Sequence, residues 1–92
     1  MISKTTDKFW KYYDELPVEI KKHAKKAFNC FLKDPYHPSL HFKRIHSTRP
    51  IFSVRISKHY RAVGILEDNH IVWFWIGSHS EYDKLIKSIR IS

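Results

Sequence analysis

Along the first third of the chain apolar residues return every three or four positions, and beyond residue 40 they alternate with polar ones or run together. The first spacing is helical and the second belongs to strands. Phe9, Tyr13 and Leu16, with Trp10 beside them, predict a helix over 7–16 that Thr5 or Thr6 can cap. From Pro17 to about Lys33, Ile20, Ala24, Ala27, Phe28, Phe31 and Leu32 form a stripe, and Lys21, Lys22, Lys25 and Lys26 fall largely on the remaining surface. With almost no linker between them, these two helices should form a hairpin with one combined apolar face. Two prolines within Asp34-Pro35-Tyr36-His37-Pro38-Ser39 then stop helix propagation.

Four strand-like runs follow, over 40–45, 51–57, 60–66 and 71–77, and their short connections predict an antiparallel meander. In the second run Phe52, Val54 and Ile56 alternate with Ile51, Ser53 and Arg55. In the third, Arg61, Val63 and Ile65 alternate with Tyr60, Ala62 and Gly64, so Arg55 and Arg61 should look out from the same side. Ile71 to Ile76 is apolar at every position, as a central strand covered on both faces requires. Gly77 closes it, and Ser78-His79-Ser80-Glu81 has capping-box spacing for a last short helix through Tyr82, Leu85, Ile86 and Ile89. The expected fold class is α+β. A helical hairpin lies on one face of a four-stranded antiparallel sheet, and the other face is partly open and carries the basic residues.

A length of 92 residues suits a single domain over 1–92, and 42% hydrophobic with 15% aromatic residues supplies a core that a disordered chain lacks. One cysteine, Cys30, excludes an internal disulfide and Cys-rich zinc patterns, and it suits a reducing cytoplasm. The longest apolar run falls well short of the roughly 20 residues of a membrane helix, and the polar start is unlike a signal peptide. No membrane partner is expected.

Charge changes the picture most. Seventeen Lys and Arg stand against nine Asp and Glu, and no acid occurs between Asp34 and Glu67. That middle segment holds Lys43, Arg44, Arg49, Arg55, Lys58 and Arg61, which points to a polyanionic partner, although a merely solvated positive surface reads the same way. Arg55 and Arg61 on adjacent strands, with Lys43 or Arg44 nearby, would make a depression suited to phosphates. The alternative is that each arginine is solvated or paired with Glu81 or Asp83. His79, in the first turn of the last helix, could exchange a proton beside a bound phosphate, and the Tyr82 hydroxyl could reach the same anion or serve packing instead. RNA carries its own 2′-hydroxyl nucleophile, so a base, cations and an acid suffice to cut it, without a metal or cofactor. His37 and His41 are four apart, but Pro38 lies between them and no cysteine or carboxylate completes a zinc set, so no metal site is expected.

With those residues in view, the chain resembles the RelE/ParE superfamily of type II toxins. The likeness is carried by the hairpin ending in Phe31-Leu32-Lys33-Asp34-Pro35, by 37–45, by Phe52-Ser53-Val54-Arg55-Ile56 with Tyr60-Arg61-Ala62, and by 72–82 with its Ile76-Gly77-Ser78-His79. The resemblance implies a twisted antiparallel sheet with packed helices, and growth arrest relieved by a cognate antitoxin. In its ribonuclease branch messenger RNA is cut on the ribosome. There Arg55, Arg61 and His79 match active-site positions, Lys43 and Tyr82 match less closely, and Ser53 stands where a second strand lysine would be expected. Arg44 and Lys58 are expected to add RNA contacts. Operator DNA would be met only through the antitoxin. The likeness also admits a gyrase inhibitor of the ParE kind, or an inactive homologue serving as antitoxin partner and co-repressor.

Overall fold

The apolar run in the seventies becomes the strand around which the other elements are arranged. In the computed structural model, which describes residues 1–91, the order is β1 (Ile2–Thr5), α1 (Asp7–Asp14), α2 (Val18–Lys33), a 3-10 turn (Pro38–Leu40), β2 (Lys43–Arg44), β3 (Ile51–Ser57), β4 (Tyr60–Glu67), β5 (His70–Ser78) and α3 (His79–Ile91). The strands form one sheet in the order β1-β5-β4-β3-β2. β1 runs parallel to β5, and all other pairs are antiparallel.

The sheet is therefore five-stranded and mixed, which corrects the expected four antiparallel strands. β1 leaves no apolar signature because it is an edge strand held by backbone pairing and by polar anchors. Trp73 Nε1 donates to Ser3 Oγ at 2.9 Å, and Trp10 Nε1 donates to Thr5 Oγ1 at 2.8 Å. A second correction concerns the run at 40–45, of which only Lys43–Arg44 is strand. His37 Nδ1 accepts from Ser39 N–H to start the 3-10 turn, and His41 ends it in the left-handed region at φ 46°. Leu40 is thereby driven into the core, 1% exposed.

The helices follow the pattern closely. Thr6 caps α1, its Oγ1 accepting from Phe9 N–H at 3.1 Å. α1 lies over β5 and α2 over β3. They cover a core of Phe9, Leu16, Ala24, Phe31, Val54, Ala62, Trp73 and Ile76. The other face is less open than expected, because α3 runs thirteen residues across it. There Ile51, Val63 and Trp75 bury against Tyr82, Leu85, Ile86 and Ile89.

One irregularity makes both cores possible. Val63 pairs with Trp75 but Gly64 pairs with Trp73, so Phe74 is an extra residue in β5. Side chains alternate along a strand, and a bulge resets that alternation. Trp73 and Ile76 therefore enter the core under α1 and α2, while Trp75 enters the one under α3. Gly64 sits beside this bulge, where a Cβ would lie 2.8 Å from Trp73 Cε3 and 2.9 Å from Val72 O. Neither the packed indole nor the backbone carbonyl can yield cheaply. Gly64→Ala should lower the urea-unfolding free energy by about 1–3 kcal/mol, and wild-type stability in that variant would contradict the tight packing.

Candidate functional site

β3 and β4 end at a short turn containing Lys58 and His59, and this is also where β5 hands over to α3. Arg55 and Arg61 are direct cross-strand partners, and Arg61 pairs on its other side with Gly77. Directly opposed residues share a sheet face, so both guanidinium groups leave from the face that α3 covers. The register slips between Arg55 and Ser57, a bulge at the very end of β3. It brings the Ser57 carbonyl within reach of Arg61, whose Nη1 donates to Ser57 O at 2.7 Å and to Tyr60 O at 2.9 Å.

These two carbonyls orient Arg61 without neutralising it. Burial, and then the neighbouring Arg55, lower the Arg61 guanidinium from its ordinary value, while Tyr82 acts in the opposite sense. Arginine still keeps its proton at neutral pH. Arg55 has no ion pair among the described residues, so two like charges face one another with no carboxylate between them. Glu81 and Asp83 do not pair with either arginine.

α3 starts at this corner. Ser78 Oγ accepts from Glu81 N–H at 3.3 Å, which is the capping role its spacing suggested. His79 N–H donates to His59 O at 2.6 Å, tying the helix start to the β3–β4 turn. The His79 side chain is half exposed, and its Nδ1 lies 3.4 Å from Asp83 Oδ2 one turn along. With Nδ1 directed at that carboxylate, Nε2 is left to face solvent or a ligand. The Tyr82 ring packs against the His79 ring at 5.6 Å.

The sequence candidates divide accordingly. Arg55, Arg61, Tyr82 and His79 meet at one end of the sheet. Tyr82 is a core residue, 6% exposed, with its hydroxyl donating to the buried Ser53 Oγ at 3.2 Å. Lys43 is exposed and opposite Ser53, hence on the same sheet face at the β2 edge. Lys58 is exposed in the turn that holds the helix start. Arg44 does not join the cluster, because its Nε is committed to the carbonyls of His46 at 3.0 Å and Arg49 at 3.2 Å. Ser53 and Asp83 take partners that the sequence reading did not give them: Ser53 was read only as standing in place of a strand lysine, and Asp83 only as a possible partner of the arginines. Asp83 was legible as the residue four on from His79, on the same helix side, whereas nothing local marks Ser53 as the seat for Tyr82.

The model of the ParE-like toxin domain matches residues 18–84, a span that holds every residue of this cluster. The chain belongs to that family. It is thus a toxin-type member of the RelE/ParE superfamily, and solved structures with these names share its fold. A chain of the RelB–RelE antitoxin–toxin complex from Methanococcus jannaschii superposes with a TM-score of 0.72 at 18% identity, covering 88% of this chain and 96% of that one. The archaeal RelE–RelB complex from Pyrococcus horikoshii gives 0.67 at 13% identity, with 85% and 93% covered. The isolated E. coli RelE toxin gives 0.62 at 16% identity, with 96% and 97% covered. No curated protein matches the sequence.

In this ParE-like toxin the opposed arginines predict a conflict between stability and binding. Arg55→Ala removes the repulsion on Arg61 and should raise folding stability by about 0.5 kcal/mol or more. The same change should weaken affinity for a polyanion. A lower melting temperature in Arg55→Ala would show that the pair is not under electrostatic strain.

Proposed function

We propose that the protein is the toxin of a type II toxin–antitoxin pair and that it arrests translation as a ribosome-dependent messenger RNA endoribonuclease. The observation that carries this reading is the His79–Asp83 pair at the start of α3, two residues beyond Gly77, the cross-strand partner of Arg61, with neither Arg55 nor Arg61 in an ion pair among the described residues. Arg61, held by Ser57 and Tyr60, and Arg55 would bind the scissile phosphate and stabilise the added charge of its crowded transition state. His79 would act as general acid or base. As base, it takes the proton of the 2′-hydroxyl as that oxygen bonds to phosphorus. As acid, it returns a proton to the departing 5′-oxygen. Asp83 fixes the ring so that Nε2 does this work. Lys43 and Lys58 would hold flanking phosphates, and Tyr82 would position His79 through ring contact.

An antitoxin is the expected protein partner, as in the two archaeal complexes, and operator DNA would be reached through it. Inhibition of gyrase needs a docking surface but no imidazole–carboxylate pair beside cations, so the site chemistry favours RNA. Cytoplasmic action accords with the absence, among the described residues, of a helix long and apolar enough to cross a membrane.

In a translating extract the protein should truncate messages within codons. His79→Ala should slow cleavage by about 10²–10⁴-fold, the usual worth of a general acid or base, and Asp83→Asn by less. Undiminished cleavage by the His79→Ala, Arg61→Ala double variant would overturn the site assignment. Double-strand DNA breaks with intact messages would replace the ribonuclease by a gyrase inhibitor. Absence of growth arrest on induction, with antitoxin binding kept, would mark an inactive co-repressor.

A further inference from the structure

A second cationic recess lies at the other end of α3. It opens between the loop after β2 and the end of the helix, holds about 650 Å³, and is lined by Arg44, Ile45, His46, Ser47 and Arg90. Its floor is fixed by His46, a buried residue whose Nδ1 accepts N–H groups from Thr48 at 3.2 Å and Arg49 at 3.0 Å. The network therefore assigns the ring proton to Nε2, which lies 3.3 Å from Ile89 O. One imidazole thus joins the loop to the last turn of α3.

The walls are charged, and no acidic side chain lines them. Arg44 spends only Nε on the loop carbonyls, so its outer nitrogens make no hydrogen bond with the described residues, and neither do the side chains of Ser47 and Arg90. The ion pairs among the described residues lie elsewhere, at Glu19–Lys22 and His79–Asp83. Two guanidinium forks and a hydroxyl around one recess, with no carboxylate among the described residues to satisfy them, form a donor set for phosphate oxygens.

We infer that this recess is a second phosphate subsite for the single-stranded RNA that the catalytic cluster engages, an inference that rests on the ribonuclease reading above. At a rise of about 1.5 Å per residue, His79 and Ile89 stand about 15 Å apart along α3. Lys43 lies on the sheet face of Arg55, and the next residue, Arg44, lines the recess, so β2 carries one cation toward each site. An RNA strand following the β2 edge would touch both. An acidic protein segment would meet the same charge, but Ile45 is the one apolar side chain in the lining. A segment that folds on binding needs more apolar anchoring than that.

The test is fluorescence anisotropy with a single-stranded RNA whose 2′-O-methyl groups block cleavage. Arg90→Glu should weaken binding about tenfold and flatten the log–log salt slope by about 0.7 for each phosphate that is no longer neutralised. Ser47→Asp should weaken it in the same direction without touching a guanidinium. Both positions are exposed, so melting curves that match the wild type exclude unfolding as the cause. Wild-type RNA affinity in both variants overturns the subsite, and so does a loss confined to antitoxin binding. If the variants bind RNA weakly although the wild type cuts no message, the subsite stands and the ribonuclease reading falls. If the wild type cuts messages and both variants bind as it does, the subsite alone falls.

Discussion

The pairing of β4 with β5, and the single extra residue at Phe74, is the constraint on which the rest of the molecule depends. An uninterrupted strand would send Trp73 and Trp75 to the same face. The bulge separates them, and one strand then supplies an indole to each of two apolar layers. Because both faces of the sheet are thereby made apolar, α3 has something to cover. Its start is fixed at the end of β5 by Ser78 and His59. The placement of His79 beside the arginines is a consequence of packing several residues away.

At that corner the fold works against itself electrostatically. Arg55 and Arg61 oppose one another across a strand pair, and like charges so placed are destabilising. The protein answers with geometry, since the bulge at the end of β3 supplies two carbonyl oxygens that aim Arg61 but leave its charge intact. On the ribonuclease reading, a bound polyanion would complete the arrangement. The Asp83 carboxylate pairs with His79 and makes no ion pair with either arginine, so it orients the imidazole without quenching them.

Much of this was legible in the sequence because its signals are local. The stripe from Ile20 to Leu32, the cap at Thr6 and the S-x-x-E spacing at Ser78 each act within a few residues, and α1, α2 and α3 appear where they indicate. The alternation in β3 and β4 placed Arg55 and Arg61 on one face for the same reason. What escaped notice depends on distant partners. β1 is strand only because β5 lies beside it, and Ser3 matters through the Trp73 indole, 70 residues away in the chain. The closed state of the second face could not be seen either, since the continuous apolar run at 71–76 does not reveal that its parity is broken in the middle.

The parallel pairing of residues 2–5 with residues 70–73 also has a kinetic side. Joining segments so far apart in the chain requires closing a loop that holds both helices and most of the sheet, the kind of contact that forms slowly. During synthesis β1 emerges first and stays unpaired until β5 follows, when nearly the whole domain has been made. Ser3 waits for the Trp73 indole over the same interval. Maturation of the sheet is thus timed by its least conspicuous strand.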